Sequence, residues 1–243
     1  MELLLVRHGE STANVAREAA LAAGAEVIAV EQRDPDVPLS QLGAAQADAL
    51  GRWLAGPGAA WRPDAVWSSP YVRARQTAEV TLGAAGLNIP IRIDERLRDK
   101  ELGILDTLTW QGVQQRYPLE ADRRRWLGKF YYRAPGGEAW TDVALRVRSV
   151  LADIQQIDAD RRVLVVVHDA VVMLFRYVCE GMTEEQILTV ARATSITNGA
   201  ITRLVRDATG RWACTDFNVD QHLVNEAGDL RTEHPGERPA VRG

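Results

Sequence analysis

Short unbroken apolar runs alternate along this chain with longer stretches in which apolar residues recur every three or four positions. Leu3–Val6 and Val163–Val167 are runs of the first kind. Without period-two alternation, they predict strands buried on both faces of a parallel sheet. Ala65–Trp67, Ile91–Ile93 and Val27–Val30 are weaker strand candidates. Ala200–Val205, a turn at Asp207–Gly210 and Trp212–Phe217 predict an antiparallel hairpin.

The helical signals fall between these runs. Ser40 is placed to cap a helix with Leu42, Ala45, Ala49, Trp53 and Leu54 on its apolar face, stopped by Gly56-Pro57-Gly58. Ser69-Pro70 reads as a cap and first helical residue, opening a helix to about Ala85. Val143, Val147, Val150, Leu151 and Ile154 form another stripe, and Thr183 with Gln186 is a capping-box pattern. Strands alternating with helices predict one layered α/β domain over residues 1–224. Residues 106–137 lack strand signals and read as a helical insertion lying over the site. From Asn225 the chain turns polar, so 225–243 reads as a loose tail, with His222 and His234 expected on the surface.

Composition changes this picture little. A net charge of −4 gives no global basic field, which argues against nucleic-acid or anionic-membrane partners. Cys179 and Cys214 are too few for a disulfide framework or a cysteine-built metal site. The N-terminal apolar run is too short for a leader or a spanning helix, so the expected location is cytoplasmic. Oligomeric state is not legible.

Chemistry gathers where the two buried runs end. The first runs into Arg7-His8 and the second into His168-Asp169. Ligands of open α/β sheets bind beyond the carboxyl ends of the strands, so neighbouring strands would set two imidazoles on one rim. Arg73 falls near the first turn of the helix opened by Ser69-Pro70, where unpaired N–H groups favour an anion. Arg7, Arg73 and two histidines make a cationic cup on an acidic protein, which points to a small phosphorylated substrate.

These residues stand in segments that resemble the histidine phosphatase superfamily, also called phosphoglycerate mutase-like. The matching pieces are RHGES (7–11), LSQLGAAQA (39–47), SSPYVRARQTAE (68–79), LRDKELG (97–103), PGGE (135–138) and VVVHD (165–169), in family order. The resemblance implies a three-layer α/β/α sandwich with a mainly parallel central sheet, and a phosphohistidine mechanism without metal or cofactor. It implies His8 as nucleophile, with Arg7, Arg73 and His168 gripping the phosphoryl group and Asn14 touching phosphate or substrate. The proton donor departs from the commonest pattern. Asp99 stands where many members carry Glu, and Asp169 stands where many carry Gly. Asp99 is the first candidate donor, Asp169 the alternative and Glu101 a third. Glu10 reads as a support for neighbouring cations.

The leading expectation is a phosphomonoesterase acting on a small phosphoester. The nearest rival is a cofactor-dependent phosphoglycerate mutase. AVEQRDPDVPLS and RRRWLGKFYYRAPGGE stand where mutases carry an F-T-G-W-type segment and an RRSxxxPPP-type stretch, which favours water as acceptor. A metallohydrolase built on His8, Glu10, His168 and Asp169 lacks the usual ligand spacing. A non-catalytic phosphoryl-binding protein on the same fold is a further alternative. Within the insertion, Lys129 or Arg133 is the candidate to meet a second anionic group.

Overall fold

The computed structural model describes residues 1–225 and 228–233. Its core is a six-stranded sheet. Four strands are parallel: β1 (Glu2–Arg7), β2 (Ala65–Ser68), β3 (Ile91–Ile93) and β4 (Arg162–Val167). An antiparallel hairpin, β5 (Ile201–Arg206) and β6 (Trp212–Val219), extends the β1 edge, giving the order β3-β2-β4-β1-β5-β6. Helices α1 (Thr12–Ala22), α2 (Gln41–Ala55), α3 (Val72–Ala84), α4 (Trp110–Arg116), α5 (Pro118–Tyr131), α6 (Trp140–Ile157), α7 (Asp169–Cys179) and α8 (Glu184–Ala193) make up the α part of this α/β fold.

The unbroken apolar runs are explained by cover on both faces. Leu3 and Leu5 of β1, with Val163, Val165 and Val167 of β4, face a core shared with α6 and α7. Leu4, Val6, Leu164 and Val166 face the opposite core, with Leu50, Leu54, Ala74 and Ala78 from α2 and α3. The pleat sends successive side chains to opposite faces, so a strand buried on both must be apolar throughout. Each fully buried leucine contributes about 1.5–3 kcal/mol relative to exposure.

Four local expectations are corrected. The helix expected to open at Ser69-Pro70 begins at Val72 with Tyr71 in the cap position, and the Ser69 hydroxyl is shared between the Tyr71 N–H, at 3.3 Å, and His168 Nε2, at 2.8 Å. Val27–Val30 forms no strand; it makes a single bridge, Val27 to Leu108, and its apolar residues serve a cavity. On α2, Ala49 and Leu54 are buried as expected, but Ala45 is exposed and the buried face continues through Gly43, Gln46, Ala47 and Leu50. Contact with the loop after β1 sets that rotation. His222, expected on the surface, is buried against Trp53 and the Gly199 carbonyl.

The polar segment after Leu223 also departs from a loose tail where it is described. β7 (Val224–Asn225) pairs with β8 (Gly228–Asp229), and the Leu230 and Thr232 carbonyls accept hydrogen bonds from Gln46 and Asn198. Polar composition hid this because backbone hydrogen bonds, rather than apolar burial, tie the segment down. His234 and the rest of the expected tail lie outside the described residues. The insertion is helical, as α4 and α5, and has a small core of its own around Leu105, Val113, Ala121 and Tyr132. At Gly128 (φ 76°) the helical path of α5 breaks, a conformation that favours glycine.

Candidate active site

The site lies at the carboxyl ends of three adjacent parallel strands. Arg7 and His8 leave β1, His168 leaves β4 and Ser69 leaves β2. The backbone N–H groups of His8 and Ser69 both bond to β4, at Val167 and Val166. Sheet register therefore brings together residues far apart in the chain.

The loop after β1 is fixed from below by α2. Gly9 and Gly43 meet backbone to backbone: a Cβ on Gly43 would stand 1.9 Å from the Glu10 carbonyl oxygen. Ser40 donates to the Glu10 carboxylate at 2.7 Å, and Gln46 Oε1 accepts from the Glu10 N–H at 2.8 Å. Glu10 thus supports the loop and does not line the cavity. Asn198 completes the clamp by donating from Nδ2 to the His8 carbonyl at 3.0 Å.

His8 and His168 are buried edge to face, with ring centres 5.1 Å apart. His8 Nδ1 lies 2.7 Å from the Gly9 carbonyl oxygen. A carbonyl can only accept, so Nδ1 carries the proton and Nε2 keeps its lone pair. Burial, then the charges of Arg73, His168 and Arg7, pushes the His8 imidazolium well below its ordinary range. His168 is depressed in the same way by burial, Arg73, Arg146 and Arg7. Its Nε2 lies 2.8 Å from Ser69 Oγ. Its Nδ1 has no hydrogen-bond partner among the described residues, the Asp99 carboxylate standing at ion-pair distance, 3.4 Å.

The cations are held by acceptors around the rim. Arg7 donates to the Ile196 carbonyl. Arg73 donates to the Asp34 carbonyl at 2.6 Å, pairs with the Asp34 carboxylate at 2.9 Å and reaches Asp99 at 3.3 Å. Burial works against the Arg73 charge, but Asp34 and Asp99 outweigh it and raise the guanidinium above its usual value. Arg7 is lowered by burial, which the Asp169 and Asp99 carboxylates partly offset.

Asp99 owes its place to a buried ion pair invisible in local sequence. Arg146 of α6 donates to the carbonyls of Arg96, Arg98 and Asp99 at 2.7, 2.9 and 3.0 Å. Glu138 neutralises Arg146 and accepts from the N–H of Glu101 at 3.1 Å. Together they pin the loop carrying Asp99. The PGGE segment had signalled Glu138, but only a helical register eight residues on reveals Arg146.

A cavity of about 360 Å³ opens over these groups. Arg7, His8, Asn14, Arg73, Asp99 and Asp169 line it, so both donor candidates and Asn14 are present. Asn14 uses its carbonyl oxygen to cap α1, accepting from the Ser11 N–H at 3.0 Å. The insertion does border the cavity, with Lys129 stacked 4.6 Å over the Trp140 ring. Arg133 does not: it is exposed and paired with Asp142. Glu101 lies off the cavity and accepts from the Tyr71 hydroxyl at 3.0 Å. No group of three or more His, Cys, Asp or Glu residues suited to a metal ion occurs among the described residues.

Residues 3–220 match the model of the histidine phosphatase superfamily, branch 1. This chain is a member of that superfamily. It is 32% identical over 188 residues to a 2,3-bisphosphoglycerate-dependent phosphoglycerate mutase of Methylobacterium radiotolerans, covering 76% of this chain and 82% of the mutase. It is 32% identical over 172 residues to a 6-phosphofructo-2-kinase/fructose-2,6-bisphosphatase of Caenorhabditis elegans, covering 70% of this chain and 32% of that protein. Among solved structures, a mycobacterial glucosyl-3-phosphoglycerate phosphatase superposes with a TM-score of 0.71 at 26% identity, over 90% of this chain and 98% of its own. This superfamily member therefore has both mutases and phosphatases among its relatives. No helix among the described residues is long and apolar enough to cross a membrane.

Proposed function

We propose that this protein is a phosphomonoesterase that hydrolyses a small phosphorylated substrate through a phosphohistidine on His8. The observation that carries the reading is the bond from His8 Nδ1 to the Gly9 carbonyl, which leaves Nε2 as an unprotonated nucleophile in a ring of cations. Nε2 attacks phosphorus in line with the leaving oxygen, so the N–P bond forms as the P–O bond breaks. Arg7, Arg73 and the Nδ1 edge of His168 stabilise the three equatorial oxygens. Asp99 in its acid form gives its proton to the departing alkoxide. The resulting carboxylate takes a proton from the water that attacks phospho-His8, and inorganic phosphate leaves.

Asp99 is favoured over Asp169 by position: its carboxylate stands 3.3 Å from Arg73 and 3.4 Å from His168 Nδ1, at the mouth of the cup that would hold the phosphoryl group. Asp169 lines the same cavity and is the alternative donor. Charge neutralisation falls to side chains, and the scheme invokes no metal or cofactor. What favours hydrolysis over mutase chemistry is that AVEQRDPDVPLS and RRRWLGKFYYRAPGGE stand where mutases carry an F-T-G-W-type segment and an RRSxxxPPP-type stretch.

The test is a phosphoester panel with phosphate release as readout, joined to an acid-labile, base-stable phosphoenzyme assay. Phosphate release and a phosphoenzyme absent from His8→Ala are expected. Isomerisation of phosphoglycerate without net phosphate release would move the assignment to a mutase.

A further inference from the structure

One face of α1 runs along the cavity wall. Asn14, Arg17 and Leu21, spaced by three and four residues, all line it, as does the N-cap Ser11. At 1.5 Å per residue, Arg17 stands about 4.5 Å and Leu21 about 10 Å farther along the helix than Asn14. The face therefore measures distance outward from the phosphoryl cup, passing from amide to guanidinium to apolar side chain.

Arg17 is unlike the arginines around it. Arg73, Arg146 and Arg116 are each matched to a carboxylate. Arg17 makes no hydrogen bond or ion pair among the described residues, yet it is half-buried and close enough to Arg7 for the charges to oppose each other. Two like charges on one cavity wall raise the free energy of the unliganded protein, and an anion between or beside them relieves it. The same cavity carries an apolar set, Leu21, Ile28, Val30, Leu105, Leu108 and Val113, with Asp106, Thr107, Thr109 and Arg124 among them. Ile28 and Val30 of the stretch that forms no strand are spent on this wall. The cavity, at about 360 Å³, is at the lower end of the range that holds drug-sized organic ligands and exceeds what a phosphoryl group alone requires.

We infer that the substrate is an extended phosphomonoester with a largely apolar body and a second anionic group, and that Arg17 receives that group. The inference relies on the phosphomonoesterase reading for which end is cleaved, but recognition by Arg17 can be measured without turnover. Calorimetric titrations would compare butylphosphonate with 4-phosphonobutyrate, and hexylphosphonate with 6-phosphonohexanoate. A bisphosphonate of each length would distinguish a carboxylate from a second phosphoryl group.

The native protein is expected to bind the doubly anionic member of at least one pair about ten-fold more tightly, and Arg17→Gln to bring that ratio close to one. A ratio near one in the native protein at every length, or a ratio that Arg17→Gln leaves unchanged, would overturn the inference. Hydrolysis of p-nitrophenyl phosphate by the same preparation reads the underlying activity separately. No turnover there would remove the phosphatase reading, while the titrations would still decide the role of Arg17.

Discussion

The imidazole of His8 meets that of His168 edge-on, centroids 5.1 Å apart and planes inclined by 62°. Both rings are buried among arginines and both are neutral, and His222, pulled down to about 4 by burial, is a third such imidazole. An unfolded histidine titrates near 6.5, so below that value the unfolded chain binds protons that the folded protein refuses. Stability is therefore expected to fall as pH drops from 7.5 to 5.5, by up to about 1.4 kcal/mol per pH unit for each imidazole fully protonated on unfolding. Urea midpoints across that range check this, and His222→Asn should flatten the slope. A pH-independent midpoint would show that the three rings are not held neutral.

Asp99 and Asp169 are separable by leaving group. Asp99→Asn is expected to slow hydrolysis of alkyl phosphates by about 10²–10³-fold, and of p-nitrophenyl phosphate far less, because p-nitrophenolate leaves without a proton. If Asp169→Asn gives that pattern and Asp99→Asn does not, the donor is Asp169.

The contact between Gly43 and Glu10 admits no side chain. Gly43→Ala places a carbon against the Glu10 backbone carbonyl two residues from His8, at an expected cost of about 3 kcal/mol. The melting temperature should drop by about 6–12 °C. Gly83→Ala is the control: it lies inside α3 with nothing within 4 Å of the added carbon, and it should be neutral or stabilising. Equal melting temperatures for the two variants would contradict the packing argument.

The described C-terminal segment braces the His8 loop from behind. Thr232 Oγ1 lies 3.3 Å from Asn198 Oδ1 and 2.9 Å from Gln46 Nε2, while Asn198 holds the His8 carbonyl and Gln46 the Glu10 N–H. Asn198→Ala should cost about 1–3 kcal/mol and reduce kcat, whereas Thr232→Val should cost about 1 kcal/mol. Because they share one network, the double variant should lose less than the sum. Strict additivity in urea unfolding would show that the segment acts alone.

Arg146 acts on Asp99 through the backbone. Arg146→Met leaves Glu138 with Arg98 as its remaining cation and frees three carbonyls, so a loss of about 1–3 kcal/mol is expected. In the folded variant kcat for alkyl phosphates should fall more than kcat for p-nitrophenyl phosphate, with KM little changed. A uniform fall for both substrates would mean that Arg146 supports the fold and not the proton donor.

Local pattern determined β1 and β4, because apolar runs buried on both faces admit few other placements, but it also read a strand at Val27–Val30 where the structure has only an isolated bridge. It singled out Arg7, His8, Arg73 and His168, which the structure brings together at one end of the sheet. Several of its errors fall where polar groups decide the structure. Ser69 looked like a helix cap but its hydroxyl is shared with His168, His222 looked solvated but is buried, and the polar end looked loose but is hydrogen-bonded to the body where it is described. Arg146, Asp34 and Asn198 were invisible because each works on a residue dozens of positions away or more. Tertiary structure alone decided which guanidiniums are matched and that Arg17 is not, since charge pairing depends on distance in space and leaves no periodic trace along the chain.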